Sequence, residues 1–345
     1  MCIRDSYYVD RTPKASALTV HDWIASTGGF CQGPPHPWTP PGLAAAPVTP
    51  TSPASRGPRI AVGAAGRIRI FDAATHVLRR VVAPFGSAYT GALSLAAADV
   101  NHDGVTDFAA GGNGSVAILN GKSGGRLLML QPFGAAYHGA VSVALADVNG
   151  DGRIDLVAGG LNRVVVDDLR TRSPLETLAP FGRTYRRGIS VAAGDVNGDG
   201  KADVIAGTGA GAPNAVAVLD GASGATIETL TPFSATFSGG VEVAAADLDG
   251  DGNADVLVGT GPGSAAVVRA FSGATRKRLL SFTPYASSFT GGVDLAAPGN
   301  GKLAQFVTAP GQGGGAQVKI FDSTGALVST FLGATGSGAI SVAAG

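Results

Sequence analysis

Apolar positions in this chain fall in short runs of four to seven residues, without the 3.6-residue rhythm of amphipathic helices. Residues 240 to 283 show the pattern: "VEVAAAD", "ADVLVGTG", "AAVVRAFSG" and "RLLSFTP" are β-branched or small stretches separated by glycine-, aspartate- and serine-rich turns. Runs of this length and composition predict strands, and four of them in about 48 residues predict a four-stranded antiparallel unit. The unit recurs. "PFGSAY" at 84, "PFGAAY" at 132, "PFGRTY" at 180, "PFSATF" at 232 and "PYASSF" at 284 keep step with an acidic stretch that begins at Asp99, Asp147, Asp195 and Asp247, at spacings of 48, 48 and 52 residues. Two markers in phase define a structural repeat of the size of a propeller blade.

The first run of each unit is small in side chain: "SLAAAD", "SVALAD", "SVAAGD", "EVAAAD" and "DLAAPG". Such a run suits the innermost strand of a blade, where neighbouring blades crowd a common axis. Residues 59 to 84 carry the second, third and fourth runs without a first, and "GAISVAAG" at 338 to 345 carries a first run alone. Joined, the two ends make one composite blade, which hides the edge strands that an open array would expose. The sequence therefore predicts an all-β fold, a β-propeller of four-stranded antiparallel blades. It has six blades closed by pairing of the N- and C-terminal strands, or it is a fragment of a seven-bladed propeller. Residues 58–345 form the propeller, and residues 1–57, Pro-rich and outside the repeat, read as a disordered or non-native segment.

The acidic stretches follow D-x-[DN]-x-D-G-x-x-D, with side-chain oxygens at positions 1, 3, 5 and 9. These are Asp99, Asn101, Asp103 and Asp107, then Asp147, Asn149, Asp151 and Asp155, then Asp195, Asn197, Asp199 and Asp203, and last Asp247, Asp249, Asp251 and Asp255. Alternate hard oxygens on a tight turn suit Ca²⁺, and glycine at position 6 permits the bend. Position 7 (Val105, Arg153, Lys201 and Asn253) varies freely, as expected where only a backbone carbonyl is offered. Position 12 is alanine or valine, so the bidentate glutamate of an EF-hand is missing and position 9 has to close the site. The alternative is that aspartate and asparagine cap these turns by bonding the backbone; four copies in register favour calcium, at about four sites.

Composition narrows the partners. With 25 basic and 25 acidic residues the net charge is zero, which gives no nucleic-acid signature, and no apolar run is long enough to span a membrane as a helix. The two cysteines, Cys2 and Cys31, lie outside the repeats and are free to pair or not; no secretory signal peptide is visible at the start.

These features resemble the FG-GAP repeats, also described as VCBS-type repeats, of the integrin α-subunit propeller and of many secreted bacterial proteins. "FSGGVEV" (237 to 243) and "FTGGVDL" (289 to 295) match the start of that repeat, and the acidic loop and a strand ending near "GTG" follow. The resemblance implies a propeller with calcium in the hairpin between the first and second strands of a blade. It also implies an extracellular or cell-surface monomeric module that binds a protein or glycan. The last unit departs from the pattern: "PGNGKLAQ", 298 to 305, has no carboxylate, so no metal is expected there.

Antiparallel strands would put the four acidic loops on one face and the blade connections on the other. Among those connections "RTYRRG" supplies Arg183, Tyr185, Arg186 and Arg187 as a candidate contact patch. Catalysis is not expected, because His21, His36, His76, His102 and His138 stand in no catalytic spacing. The expected function is a calcium-stabilised binding or adhesion module; the alternatives are a lectin-like propeller and the non-catalytic part of a polysaccharide-degrading enzyme.

Overall fold

A computed structural model of the chain describes residues 57–298, 305–334 and 339–345. The segment with Cys2, Cys31, His21 and His36 lies outside the described residues, as does most of the 298–305 stretch. The described residues contain strands and turns and no helix, hence none long and apolar enough to cross a membrane.

Among the described residues, twenty-four strands form six four-stranded antiparallel sheets, each a blade. The small-residue runs are the innermost strands: Ser94–Ala98, Ser142–Ala146, Ile189–Gly194, Val241–Ala246, Val293–Ala296 and Ser341–Ala344. Each packs against the innermost strand on either side, and Ser341–Ala344 packs against Ser94–Ala98, so the ring closes. Closure uses both ends of the chain: Ser341–Ala344 pairs with Arg59–Ala64, in the register Ile60↔Ala344 to Gly63↔Ser341. The six-bladed architecture with a composite blade is the one realised.

The hydrophobic core is divided. Six apolar clusters are present, and each lies between two adjacent blades, joining the outer strands of one to the inner strands of the next. The second strand of a blade is buried over nearly its whole length, as in Asp107–Gly112 and Asp203–Thr208. The fourth is mostly exposed, as in Leu78–Val82.

Glycine near the end of the second strand lets blades approach. A Cβ on Gly111, Gly159 or Gly207 would overlap the carbonyl oxygen of Val141, Ile189 or Val241 on the next innermost strand. The recurrent "GG" and "GT" endings are thus set by contact between blades. Gly159→Ala is expected to cost about 1–3 kcal/mol, the usual range for overpacking a tight interior. Chemical denaturation measures it, and a loss below about 0.5 kcal/mol would show that the junction yields to a methyl group.

The Pro-aromatic landmark is a latch between blades. Its two rings pack on each other, with centroids 5.2 Å apart for Phe85 and Tyr89, 5.0 Å for Phe133 and Tyr137 and 5.1 Å for Phe181 and Tyr185. The tyrosine hydroxyl donates to a carbonyl three residues on, at 2.8 Å for Tyr89 to Ala92 and 2.8 Å for Tyr137 to Ala140. Tyr137 also accepts the Leu161 N–H at 3.1 Å, which fastens the connection to the hairpin that follows.

Candidate metal centre

Each acidic stretch occupies the hairpin between the first and second strands, and its ninth residue opens the second strand. The first aspartate folds the loop around itself. Asp147 accepts N–H groups from Gly150, Asp151 and Gly152 at 2.7, 3.2 and 2.7 Å, and Asp195 accepts those of Gly198, Asp199 and Gly200 at 2.7, 3.1 and 2.8 Å. Asp99 takes Asp103 and Gly104, and Asp247 takes Gly250 and Gly252. The third residue accepts from the fifth: Asn101, Asn149 and Asn197 at 3.0, 2.8 and 2.9 Å, and Asp249 at 3.2 Å. The fifth in turn accepts from the seventh, whether Val105, Arg153, Lys201 or Asn253. At position 1 both carboxylate oxygens accept backbone N–H groups, and at positions 3 and 5 one oxygen of the side chain does.

Two loop positions require a left-handed backbone. Position 6 is always glycine, with φ from 76° at Gly104 to 92° at Gly252. Position 4 has φ of 77° at Gly150 and Gly198, 78° at Gly250 and 58° at His102. His102 is therefore a non-glycine residue in a conformation that side chains rarely adopt. The glycine in three of the four copies is the signal for this second bend.

The ninth-position aspartates are enclosed. Asp107, Asp203 and Asp255 are fully buried and Asp155 is 1 % exposed. Burial, then repulsion from the other loop carboxylates, pushes Asp155, Asp203 and Asp255 up to about 6, and Asp107 shifts the same way. Backbone N–H groups oppose the shift: Asp255 takes Leu248 at 2.7 Å and Gly273 at 3.0 Å, and Asp203 takes Val196 at 2.9 Å and Gly221 at 3.1 Å. None of the three ion pairs among the described residues involves a loop aspartate. Arg59, which donates to the Gly121 carbonyl, also feels the charges of Asp103 and Asp107; in the other three loops a buried carboxylate beside further carboxylates, with no ion pair among the described residues, suits a cation.

The fourth loop fits a metal most directly. One oxygen each from Asp247, Asp249 and Asp255 lies within 4.8 Å of the others. In the other three loops position 3 is asparagine, which offers an amide oxygen in place of a third carboxylate.

The hairpin between the third and fourth strands also reaches the site. Gly121, Gly221 and Gly273 donate to the ninth-position aspartates, Asn120 Nδ2 approaches Asp103 at 3.4 Å, and Asn197 Nδ2 donates to Asp220 at 3.1 Å. The sequence carried the signal as "LNGKSG" and "LDGASG", in phase with the acidic loops. The second blade departs, with "VDDLRTRS" at this place. Loops are also chained across blades: Ala202 N donates to Asp147 O at 2.9 Å and Ala254 N to Asp195 O at 2.6 Å.

On the opposite face, Arg183, Arg186 and Arg187 are exposed and Tyr185 is half-buried. Tyr185 serves in the latch, donating to Gly188 O at 3.0 Å and accepting the Gly209 N–H at 2.8 Å. Arg186 folds back on the carbonyls of Arg183 and Tyr185. The described histidines do not converge: His76 stacks on Phe331, His102 sits in the first acidic loop and His138 in a blade connection.

Residues 99–158 and 195–258, which take in all four acidic loops, match the family model for the FG-GAP-like repeat. No curated protein sequence matches the chain. Among solved structures, U3-55K aligns over 79 % of this chain and 78 % of its own, at 15 % identity and a TM-score of 0.50. A protein of unknown function from Bacteroides caccae aligns over 84 % and 98 %, at 13 % identity and 0.55. Chaetomium thermophilum Raptor aligns over 81 % of this chain and 24 % of its own, at 13 % identity and 0.54. At these identities the likeness is one of fold, and it agrees with the closed ring of blades. The chain carries FG-GAP-like repeats at residues 99–158 and 195–258 and is built as a six-bladed β-propeller.

Proposed function

We propose that this propeller is a calcium-stabilised extracellular binding or adhesion module whose metal is structural. The reading rests on one observation: four acidic hairpins in register, each closed by a buried aspartate that sits among other carboxylates. Asp247, Asp249, Asp251 and Asp255, with the Asn253 carbonyl, would hold one ion, and the corresponding residues of the other three loops would hold one each. Bound Ca²⁺ supplies positive charge that offsets the repulsion among these carboxylates. The protein's part is to present the oxygens preformed, through the backbone bonds to positions 1, 3 and 5, and to keep the ninth carboxylate dry. Extracellular calcium suits modules of this kind, whose dissociation constants run to about 10⁻⁴–10⁻³ M. With one face occupied by the metal loops, the connection face bearing Arg183, Arg186 and Arg187 is left for a protein or glycan.

Calorimetric titration of the full chain with Ca²⁺ tests the reading. Binding at about four sites with a rise in melting temperature is expected. No binding, or binding that leaves the melting temperature unchanged, would reduce the loops to backbone-capped turns.

A further inference from the structure

Equivalent positions at the start of the six innermost strands form a ring around the axis: Ser94, Ser142, Ser190, Glu242, Asp294 and Ser341. Four of these side chains tie one blade to the next. Ser94 Oγ accepts the Val143 N–H at 3.1 Å, Ser142 Oγ the Val191 N–H at 3.0 Å, and Asp294 the Val342 N–H at 2.7 Å, while Ser190 donates to the Val241 carbonyl. Glu242 makes no such bond; its carboxylate accepts none from any described residue. Ser341 Oγ is buried and also lacks a partner among the described residues.

Glu242 and Asp294 both line an axial cavity of about 530 Å³ that opens among the blade connections, and both line an adjoining cavity of about 280 Å³ that Ser341 shares. Neither lining contains a lysine or arginine. Below the ring, Ala96, Ala144, Ala192, Ala244, Ala296 and Ala343 narrow the axis to a space of about 80 Å³, so the cavity tapers as a funnel. Serine stands at four of the six positions and makes the bond between blades at three of them, while Glu242 makes none, so the fold does not demand an acid at Glu242.

We propose that this funnel binds a small organic cation of side-chain size, whose primary ammonium or guanidinium is held between Glu242 and Asp294. The volume lies in the range of small-molecule sites and far exceeds that of a bare ion. Only two carboxylates converge, and three of the four ring serines are committed to backbone bonds, too few free oxygens for the six to eight that Ca²⁺ takes. An ammonium needs only a few acceptors, and charge-assisted bonds in an enclosed site are the strong ones. Both carboxyls lie well above the usual range, Glu242 through burial and Asp294 through burial and the charge of Glu242, as expected of acids that await a counterion. The other titratable groups in the lining are Tyr89 and His138.

The test is calorimetry of the full chain in saturating Ca²⁺ at low ionic strength, with putrescine as probe and 1-butanol as its neutral control. Putrescine is expected to bind once per chain and butanol not at all. Glu242→Gln is expected to weaken putrescine at least tenfold, the scale of a lost charged hydrogen bond. Because Glu242 makes no structural bond, this variant keeps the test alive should Asp294→Asn fail to fold. Glu228→Gln, on an outer strand beside Arg276, is expected to change nothing. Failure of putrescine to bind at millimolar concentration would overturn the proposal. So would equal affinity in Glu242→Gln, or an extra metal ion that is lost in that variant while amines are ignored. Since calcium is held saturating throughout, none of these outcomes bears on the acidic loops.

Discussion

Stripping calcium from the chain with a chelator is expected to lower its melting temperature by about 20 °C or more. A ligand that binds only the folded state at 100 times its dissociation constant adds about 2.7 kcal/mol, so four sites add about 11 kcal/mol. Single domains are stable by about 5–15 kcal/mol, and 1 kcal/mol moves the midpoint by about 2–4 °C at 150–250 residues. The metal would thus supply much of the stability. The loops would not fail one at a time, because Ala202 and Ala254 hydrogen-bond to the preceding loops. Differential scanning calorimetry in calcium and in EDTA reads the shift. Equal melting temperatures would mean that the backbone bonds accepted by Asp99, Asp147, Asp195 and Asp247 are enough to hold the loops.

Deleting residues 339–345 is expected to destroy cooperative unfolding. The deletion removes Ile340, Val342, Ala343 and Ala344, all at most 7 % exposed and divided between the clusters on both sides of the composite blade. Two buried branched side chains at about 1.5–3 kcal/mol each, with the alanines, put the loss on the order of 6 kcal/mol. It also unpairs the strand Arg59–Ala64 along one edge and leaves the ring open. A broad denaturation curve with concentration-dependent aggregation is expected, since an exposed inner strand edge is a template for other chains. Adding a peptide of the deleted residues should restore a single transition. If the truncated chain instead unfolds in one sharp step within about 1 kcal/mol of the intact one, the blades stand without closure.

Much of the fold was legible because a propeller repeats one local solution. The alanine-rich runs could be placed innermost from side-chain size alone, and the half-units at 59–84 and 338–345 could be joined because each lacked what the other carried. Contacts between blades were less legible. Gly159 reads only as the glycine that ends a strand until the Ile189 carbonyl is seen where its Cβ would be. Tyr185 reads as an exposed contact residue, yet its hydroxyl is engaged by Gly188 and Gly209. The hairpin glycines Gly121, Gly221 and Gly273 belong to the acidic site through pairings about 14 to 18 residues away, a separation at which spacing alone gives no direction.

The composite blade also fixes how the ring carries load. Arg59 and Gly345 sit side by side, exchanging backbone bonds of 2.7 and 3.1 Å, and the strands they begin and end run antiparallel from that point. Tension between these two residues would meet the bonds in series, first the Arg59–Gly345 pair, then Ile60 with Ala344, and so inward to Gly63 with Ser341. This is peeling, not shearing, and it needs little force at any one step. The closure is thus the point at which tension between Arg59 and Gly345 would open the ring, one backbone pair at a time.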